Sequence, residues 1–212
     1  MTVSLNQRIQ QFYDASSGLW EQIWGEHMHH GYYGADGTEP KNRRQAQIDL
    51  IEELLQWAKI TQAERILDVG CGIGGSSLYL AQKFKAHATG VTLSPVQAKR
   101  AQERTQEHGI TLVPSDQPIA DLDSFPSPSA QFLVADALNL PFADASFDFV
   151  WSLESGEHMP DKTQFLQECC RVLKPGGRFL MATWCHRPTD DGPLTPSEQK
   201  LLQDIYQVYC LP

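Results

Sequence analysis

The stretch Arg65-Ile-Leu-Asp-Val-Gly-Cys-Gly-Ile-Gly-Gly75 decides the fold that the sequence predicts. Its apolar run from Ile66 to Val69 predicts a buried strand, and residues 76–84 carry apolar side chains at helical spacing. A strand, a glycine-rich turn and a helix in this order are typical of a nucleotide site in α/β proteins. The glycines let the backbone turn tightly and come close to a ligand.

The residue types around this turn narrow down the ligand. Asp68 lies two residues before the first glycine, where a carboxylate repels a pyrophosphate and attracts an ammonium group. No Lys-Ser or Lys-Thr pair follows, so the turn is not a phosphate-binding P-loop. The N-terminus of the next helix favours a carboxylate. S-adenosylmethionine is the common nucleoside with both groups. A Rossmann dehydrogenase is disfavoured, because the chain has no second substrate domain.

Composition excludes several classes of protein. The 212 residues are 41% hydrophobic and carry a formal net charge of -9, which argues against binding to nucleic acid or to anionic lipid. No apolar run approaches the roughly 20 residues that span a bilayer, and the N-terminus lacks the apolar core of a signal peptide. Five cysteines without a Cys-x-x-Cys pair suggest neither disulfides nor a metal site. We therefore expect a cytoplasmic protein.

Apolar and amphipathic segments alternate along the chain. Strands are predicted at residues 66–69, 86–93, 132–135, 147–152 and, after a Pro-Gly-Gly turn at 175–177, 178–184. Helices are predicted at residues 3–16, 44–59, 76–84, 95–108, 161–173 and 196–209. This order predicts an α/β fold with a parallel, doubly wound sheet and helices on both faces. Ligands then bind at the carboxyl ends of the strands, here residues 68–75, 91–97, 135–138 and 152–158.

Three segments stand apart from this pattern. Residues 16–34 contain two tryptophans, two tyrosines and three histidines among glycines, which fits either a lid over a flat ligand or an apolar strap on the domain. Residues 114–129 are rich in Pro, Ser and Asp and predict an exposed, mobile loop without chemistry. The chain stops one helix after the fifth strand, so that a sheet edge stays uncovered. We expect a truncated form of a longer protein.

Several motifs resemble known families. Four stretches resemble the successive motifs of class I S-adenosylmethionine-dependent methyltransferases. They are Asp68-Val-Gly-Cys-Gly-Ile-Gly-Gly75, Gly90-Val-Thr-Leu-Ser-Pro-Val-Gln97, Val134-Ala-Asp-Ala137 and Leu173-Lys-Pro-Gly-Gly-Arg178. Other stretches more specifically resemble the gamma-tocopherol methyltransferases. They are Phe12-Tyr-Asp-Ala-Ser-Ser-Gly-Leu-Trp20, Trp24-Gly-Glu-His-Met-His-His-Gly-Tyr-Tyr33, Trp151-Ser-Leu-Glu-Ser-Gly-Glu-His-Met-Pro160 and Thr183-Trp-Cys-His-Arg187. The resemblance covers nearly the whole chain and implies a Rossmann-like fold with an N-terminal helical lid.

The chain departs from the tocopherol family in two places. Its loop at 114–129 is longer than the resemblance implies. The C-terminal part is missing, which in the family supplies the last two sheet strands and much of the wall around the lipid substrate. We expect residues 1–43 to form the lid, 44–187 the S-adenosylmethionine domain and 188–212 the start of a substrate cap.

The resemblance also implies S-adenosylmethionine as the cofactor, S-adenosylhomocysteine as its product, and the residues that bind them. The methionine end would contact Asp68, Gly70, Gly72 and Gly74. The ribose would contact Thr92, Leu93 and Gln97. The adenine would contact Asp136 and the backbone amide of Ala137. The remaining cofactor contacts would come from Tyr13, Tyr33 and Ser152.

The resemblance implies a catalytic set at Glu154, Glu157 and His158, which follow the fourth predicted strand. A phenol with a pKa near 10 needs a base before its ring becomes nucleophilic, and these groups can share a proton and tune the histidine. His29 and His30 are second-choice bases. The alternative is that Glu157 and His158 merely begin the next helix.

Three functions remain open at this point. The first is C-methylation of a lipophilic phenol such as gamma-tocopherol, with transient, hydrophobic contact with a membrane surface. The second is N-methylation of a small amine, because the Glu-x-x-Glu-His set also occurs in related N-methyltransferases. The third is an S-adenosylmethionine-binding module without catalysis. No nucleic-acid partner is expected.

Overall fold

The computed structural model describes residues 4–185 and 192–212. Its helices are α1 (Leu5–Trp24), α2 (Arg43–Trp57), α3 (Gly75–Phe84), α4 (Pro95–Glu107), α5 (Lys162–Val172) and α6 (Pro196–Val208). Its strands are β1 (Arg65–Val69), β2 (His87–Thr92), β3 (Thr111–Leu112), β4 (Ser129–Val134), β5 (Phe147–Leu153) and β6 (Leu173–Ala182). Two short 3-10 helices cover Ile119–Ser124 and Gly156–His158. The predicted domain boundary at 187/188 and the end of the Thr183–Arg187 motif fall outside the described residues.

The six strands form one parallel sheet in the order β3-β4-β2-β1-β5-β6. The predicted parallel, doubly wound sheet is thereby confirmed. From β1 the sheet extends through β2, β4 and β3 on one side, and through β5 and β6 on the other. A crevice opens at the carboxyl ends of the strands where this direction reverses, between β1 and β5.

Alternation along β1 explains why helices cover both faces of the sheet. Ile66 packs into one core cluster with Ile51 of α2 and Leu80 of α3. Leu67 points to the opposite face, as strand geometry requires, and packs with Phe165 of α5 in a second cluster. Among the described residues, no helix combines the length and the hydropathy needed to cross a bilayer.

Helix α1 is longer than the predicted helix at 3–16. A capping box between Ser4 and Gln7 fixes its start, and it continues to Trp24. Trp20 and Trp24 follow at helical spacing and belong to the helix rather than to an irregular strap. Gly18 weakens helix propensity at the predicted end, but the tertiary contacts of the helix outweigh that cost of about 1 kcal/mol.

The segment 114–129 is not the exposed loop that its composition predicts. Its 3-10 helix buries Ile119 and Leu122 against the same cluster that contains Val91. The preceding two-residue strand β3, which the sequence pattern did not reveal, pairs with the start of β4. Strand β4 consequently begins at Ser129, three residues before the predicted start.

The predicted turn at 175–177 lies inside strand β6. Leu173 pairs with Phe147 and Arg178 pairs with Phe149, so residues 174–177 loop out opposite the single residue Asp148. Gly176 takes a φ of 81° at this irregularity. Strand β6 therefore starts earlier than the predicted strand at 178–184, and it ends at Ala182. It is the outer strand on its side of the described sheet.

Substitution of Leu122 tests whether this segment is packed. We expect Leu122→Ala to lower the free energy of unfolding by about 2–4 kcal/mol, because a fully buried leucine leaves a cavity. Urea titration measures the change, and Asp116→Ala, at an exposed position of the same segment, serves as the control. Equal stabilities of the two variants would contradict the packed arrangement.

Candidate active site

The turn after β1 brings three strand ends together. The N–H groups of Gly70 and Cys71 both donate to the Val91 carbonyl of β2 at 3.0 Å. Gly70 has a φ of 86°, and a Cβ at this position would lie 2.2 Å from the Cβ of Ser155, which follows β5. Ser155 Oγ in turn donates to the Val69 carbonyl at 2.8 Å. Only glycine allows this close approach.

A cavity of about 200 Å³ lies beyond this turn, at the carboxyl ends of the strands. Helix α1 and residues 26–30 form its other wall. Most of the predicted site residues line it, namely Tyr13, Asp68, Gly70, Gly72, Thr92, Leu93, Gln97, Asp136, Ala137, Glu154, Glu157 and His158. Residues far apart in the chain thus share one cavity.

Three predicted residues do not line the cavity. Ser152 is fully buried and its Oγ lies 2.8 Å from Ser155 Oγ, so it supports the turn from beneath. A Cβ at Gly74 would lie 2.9 Å from the Phe132 ring, so this glycine serves packing. Tyr33 holds the following turn, where its carbonyl accepts from the Glu39 N–H.

Asp68 is a buried carboxyl group at one end of the cavity. It is 2% exposed and accepts a hydrogen bond of 2.6 Å from Ser77 Oγ. Burial raises the pKa of this carboxyl to about 7, against the effect of the bonds from Ser77. No cationic side chain among the described residues lies within ion-pair distance of it. A cationic ligand group therefore fits here.

The loops after β2 and β4 present polar groups further along the cavity. Thr92 Oγ1 donates to Gln97 Oε1 at 2.8 Å, which fixes two predicted ribose contacts relative to each other. Asp136 Oδ1 accepts from the Leu138 N–H at 2.9 Å, and its Oδ2 accepts from Asn6 Nδ2 at 2.7 Å. The carboxylate of Asp136 is thus fixed at both oxygens.

Glu154, Glu157 and His158 all line the cavity, but each has a different partner. Glu154 Oε2 accepts from His30 Nδ1 at 2.8 Å. Glu157 Oε2 accepts from Thr183 Oγ1 at 2.7 Å. His158 Nε2 lies 2.8 Å from the hydroxyl oxygen of Tyr13. The expectation that the three share a proton directly is therefore wrong in this arrangement.

Burial controls the protonation of these groups. It lowers the pKa of His158 to about 4, so the imidazole is uncharged at pH 7. The expectation of a histidine pKa close to neutral pH is therefore wrong. Burial and the nearby Glu154 charge raise the pKa of the Glu157 carboxyl above its usual value. Burial also raises the pKa of Tyr13, which keeps its proton. The raised pKa makes Glu157 a stronger proton acceptor than an ordinary carboxylate.

Aromatic rings roof part of the cavity. The Trp184 ring contacts Tyr209 at 5.3 Å and His30 at 5.7 Å, as measured between ring centroids. Trp24 contacts His30 at 5.0 Å and Trp20 at 5.8 Å. Helices α1 and α6 and the end of β6 all contribute to this roof. The arrangement suits a flat, apolar acceptor.

Sequence reasoning missed several lining residues. Asn6, Met28 and Tyr209 line the cavity, and Thr183 binds Glu157. Met28 and Thr183 lie inside quoted motifs and could have been named from them. Asn6 and Tyr209 carry no local signal, since only the packing of α1 and α6 brings them here. Among the described residues, no group of three or more His, Cys, Asp or Glu side chains could hold a metal ion.

The comparisons with known proteins agree with this fold and cavity. A family model described as a methyltransferase domain matches residues 67–181, and the chain belongs to this family. The expected class I methyltransferase fold is thereby confirmed. The solved [4+2]-cyclase SpnF has a TM-score of 0.70 at 26% identity, over 97% of this chain and 72% of that one.

Two curated relatives narrow the resemblance. The chloroplastic tocopherol O-methyltransferase of Arabidopsis thaliana is 47% identical over all of this chain and 59% of its own length. The 2-methyl-6-phytyl-1,4-hydroquinone methyltransferase of Synechocystis is 39% identical over 92% of this chain and 56% of its own length. The resemblance to tocopherol methyltransferases is confirmed. The chain spans little more than half the length of these relatives.

The buried carboxyl of Asp68 makes stability depend on pH. Its folded pKa of about 7 lies above the unfolded value of 3.8. Ionisation of Asp68 therefore destabilises the ligand-free fold increasingly as pH rises from about 4 to 7, and by a constant amount above pH 7. We expect Asp68→Asn to gain stability over the wild type across this range, by about 4 kcal/mol at most. Urea titrations at several pH values measure this, with Asp116→Asn as the exposed control. Parallel pH curves for wild type and Asp68→Asn would refute it.

Proposed function

We propose that the protein transfers a methyl group from S-adenosylmethionine to a ring carbon of a prenylated phenol, such as gamma-tocopherol, giving alpha-tocopherol. The observation that carries the proposal is that a carboxyl group with a raised pKa, Glu157, and several aromatic rings line the same cavity. The names of the two relatives support the substrate class.

The residues of the cavity fit this donor, which supplies an electrophilic methyl group on a positively charged sulfur. Asp68, a buried carboxyl without a cationic partner among the described residues, would bind the ammonium group. Thr92 and Gln97 would bind the ribose hydroxyls. Asp136 and the amide of Ala137 would bind the adenine. The neutral glycine turn leaves room for the methionine backbone, since a Cβ at Gly72 would meet only Met28 Sδ, at 3.5 Å.

Glu157 would act as the base. A phenol becomes nucleophilic at the ortho carbon when its proton leaves, and a carboxylate with a raised pKa is the better acceptor for that proton. The neutral pair of His158 and Tyr13 would bind and orient the phenol oxygen. Glu154 would hold His30 in the wall of the cavity through their hydrogen bond. The cavity thereby supplies both positioning and the base.

Methyl transfer from labelled S-adenosylmethionine tests the proposal. Gamma-tocopherol in detergent or in neutral vesicles is compared with a panel of small amines. The products are separated by chromatography beside standards, because alpha-tocopherol and the methyl ether of gamma-tocopherol have the same mass. We expect label in alpha-tocopherol, and a fall in kcat of about 10²-fold or more in Glu157→Gln. Glu53→Gln, on an exposed position of α2, is the matched control and should keep full activity.

Other products would identify the other functions. Label in a methyl ether would place the transfer on oxygen, as the name of the Arabidopsis relative states. Label only in an amine would favour N-methylation, which the two carboxylates and the aromatic roof also suit. Binding of S-adenosylhomocysteine without any transfer would indicate a binding module.

The division into lid, cofactor domain and substrate cap remains a proposal, supported by the contacts of α1 with the cavity.

Contact with a membrane surface is a proposal as well. Leu19 and Ile23 are 60% and 53% exposed on α1, next to the two tryptophans that line the cavity. With a net charge of -9, such contact would be hydrophobic. A higher rate from neutral vesicles than from detergent would support it, and a lower rate would oppose it.

A further inference from the structure

Asn6 lies on the first turn of α1 and reaches the loop after β4. Its Nδ2 donates to Asp136 Oδ2 at 2.7 Å, across 130 positions of sequence. Both side chains line the cavity. The first turn that carries Asn6 is fixed by the reciprocal capping bonds of Ser4 and Gln7.

The rest of α1 holds Asn6 at this position. Asp14 Oδ1 accepts from Ser94 Oγ at 2.5 Å, and Tyr13 meets His158 at 2.8 Å. Near the end of the helix, Glu21 pairs with Arg100 at 2.8 Å. Because α4 and the 3-10 helix after β5 both hold the helix, its first turn lies at a fixed position, and the contact of Asn6 with Asp136 is a built feature of the cavity.

The hydrogen-bond inventory shows what this pair can recognise. The amide of Asn6 must turn its nitrogen to the carboxylate, because an oxygen there would be repelled. Its Oδ1 then remains an acceptor without a partner among the described residues. Each oxygen of Asp136 has one donor, from Asn6 or Leu138, and can accept a second. The two side chains therefore offer a ligand several acceptors, namely the Asp136 oxygens and Asn6 Oδ1, beside the second N–H of the Asn6 amide.

We propose that Asn6 is a positioning residue that makes the cavity select an amino-substituted purine. It fixes the Asp136 carboxylate and adds its own carbonyl, so that an exocyclic amine finds acceptors, whereas an exocyclic carbonyl that faces the carboxylate is repelled. A neutral amide achieves this without cancelling the negative charge, as a lysine would. The inference rests on the proposed function, since it concerns the adenine of the same donor.

Binding of two nucleosides tests the role of Asn6. Calorimetry compares S-adenosylhomocysteine with S-inosylhomocysteine, which has a carbonyl in place of the amine. We expect Asn6→Ala to weaken S-adenosylhomocysteine about tenfold and to change S-inosylhomocysteine far less, so that the preference for the amine falls. Gln11→Ala, an exposed amide on the same helix, should change neither.

A second variant separates positioning from simple packing. Asn6→Asp puts a second carboxylate beside Asp136, so we expect weaker S-adenosylhomocysteine binding than in Asn6→Ala at pH 8 and recovery towards it at lower pH. Alanine favours helix at this position, so Asn6→Ala should fold, which circular dichroism verifies.

The outcomes are distinguishable. Equal weakening of both nucleosides in Asn6→Ala would overturn the inference, because the contact would then only hold the lid. Unchanged binding in that variant would overturn it as well, with the proposed function intact. If the wild type bound no S-adenosylhomocysteine, the proposed function would fail and this inference with it.

Discussion

The close contact between Gly70 and Ser155 is the constraint on which the cavity depends. It exists because the residue after β1 has no side chain and takes a left-handed φ. The hydroxyl of Ser155 and the carbonyl of Val91 then bond to this same turn, so the ends of β1, β2 and β5 are fixed relative to one another. A larger residue at this position would collide with Ser155 and push the ends of β1 and β5 apart.

Electrostatic contacts hold residues 26–30, which form a second wall of the cavity. Arg104 of α4 is 1% exposed, and its guanidinium donates to the Glu26 carbonyl at 2.7 Å and pairs with the Glu26 carboxylate. A buried guanidinium is costly unless it is paired, so it strongly favours one position for residues 26–30. Histidines of this segment thereby reach the cavity, and His30 reaches Glu154. The wall is thus fixed by charge, whereas the sheet beneath it is fixed by packing.

The sequence predicts local features of this protein better than contacts between distant segments. The β1–turn–α3 unit could be predicted because its strand, glycines and helix follow one another directly. Ile119 and Leu122 escaped notice because the Pro- and Ser-rich residues around them dominate the pattern. The pairs Asn6–Asp136 and His30–Glu154 join residues more than 120 positions apart, and no spacing rule reports such contacts. The residue types of the site were predictable, but their hydrogen-bond partners were not.

Helix α1 contacts three separate loops through Asn6, Tyr13 and Asp14. Because these side chains are part of one rigid element, movement of the helix away from the sheet breaks all three contacts together. The parts of the cavity around Asp136 and around His158 would consequently open together. For the proposed reaction, exchange of a spent donor for a fresh one would then be coupled to admission of the next acceptor through one gating motion.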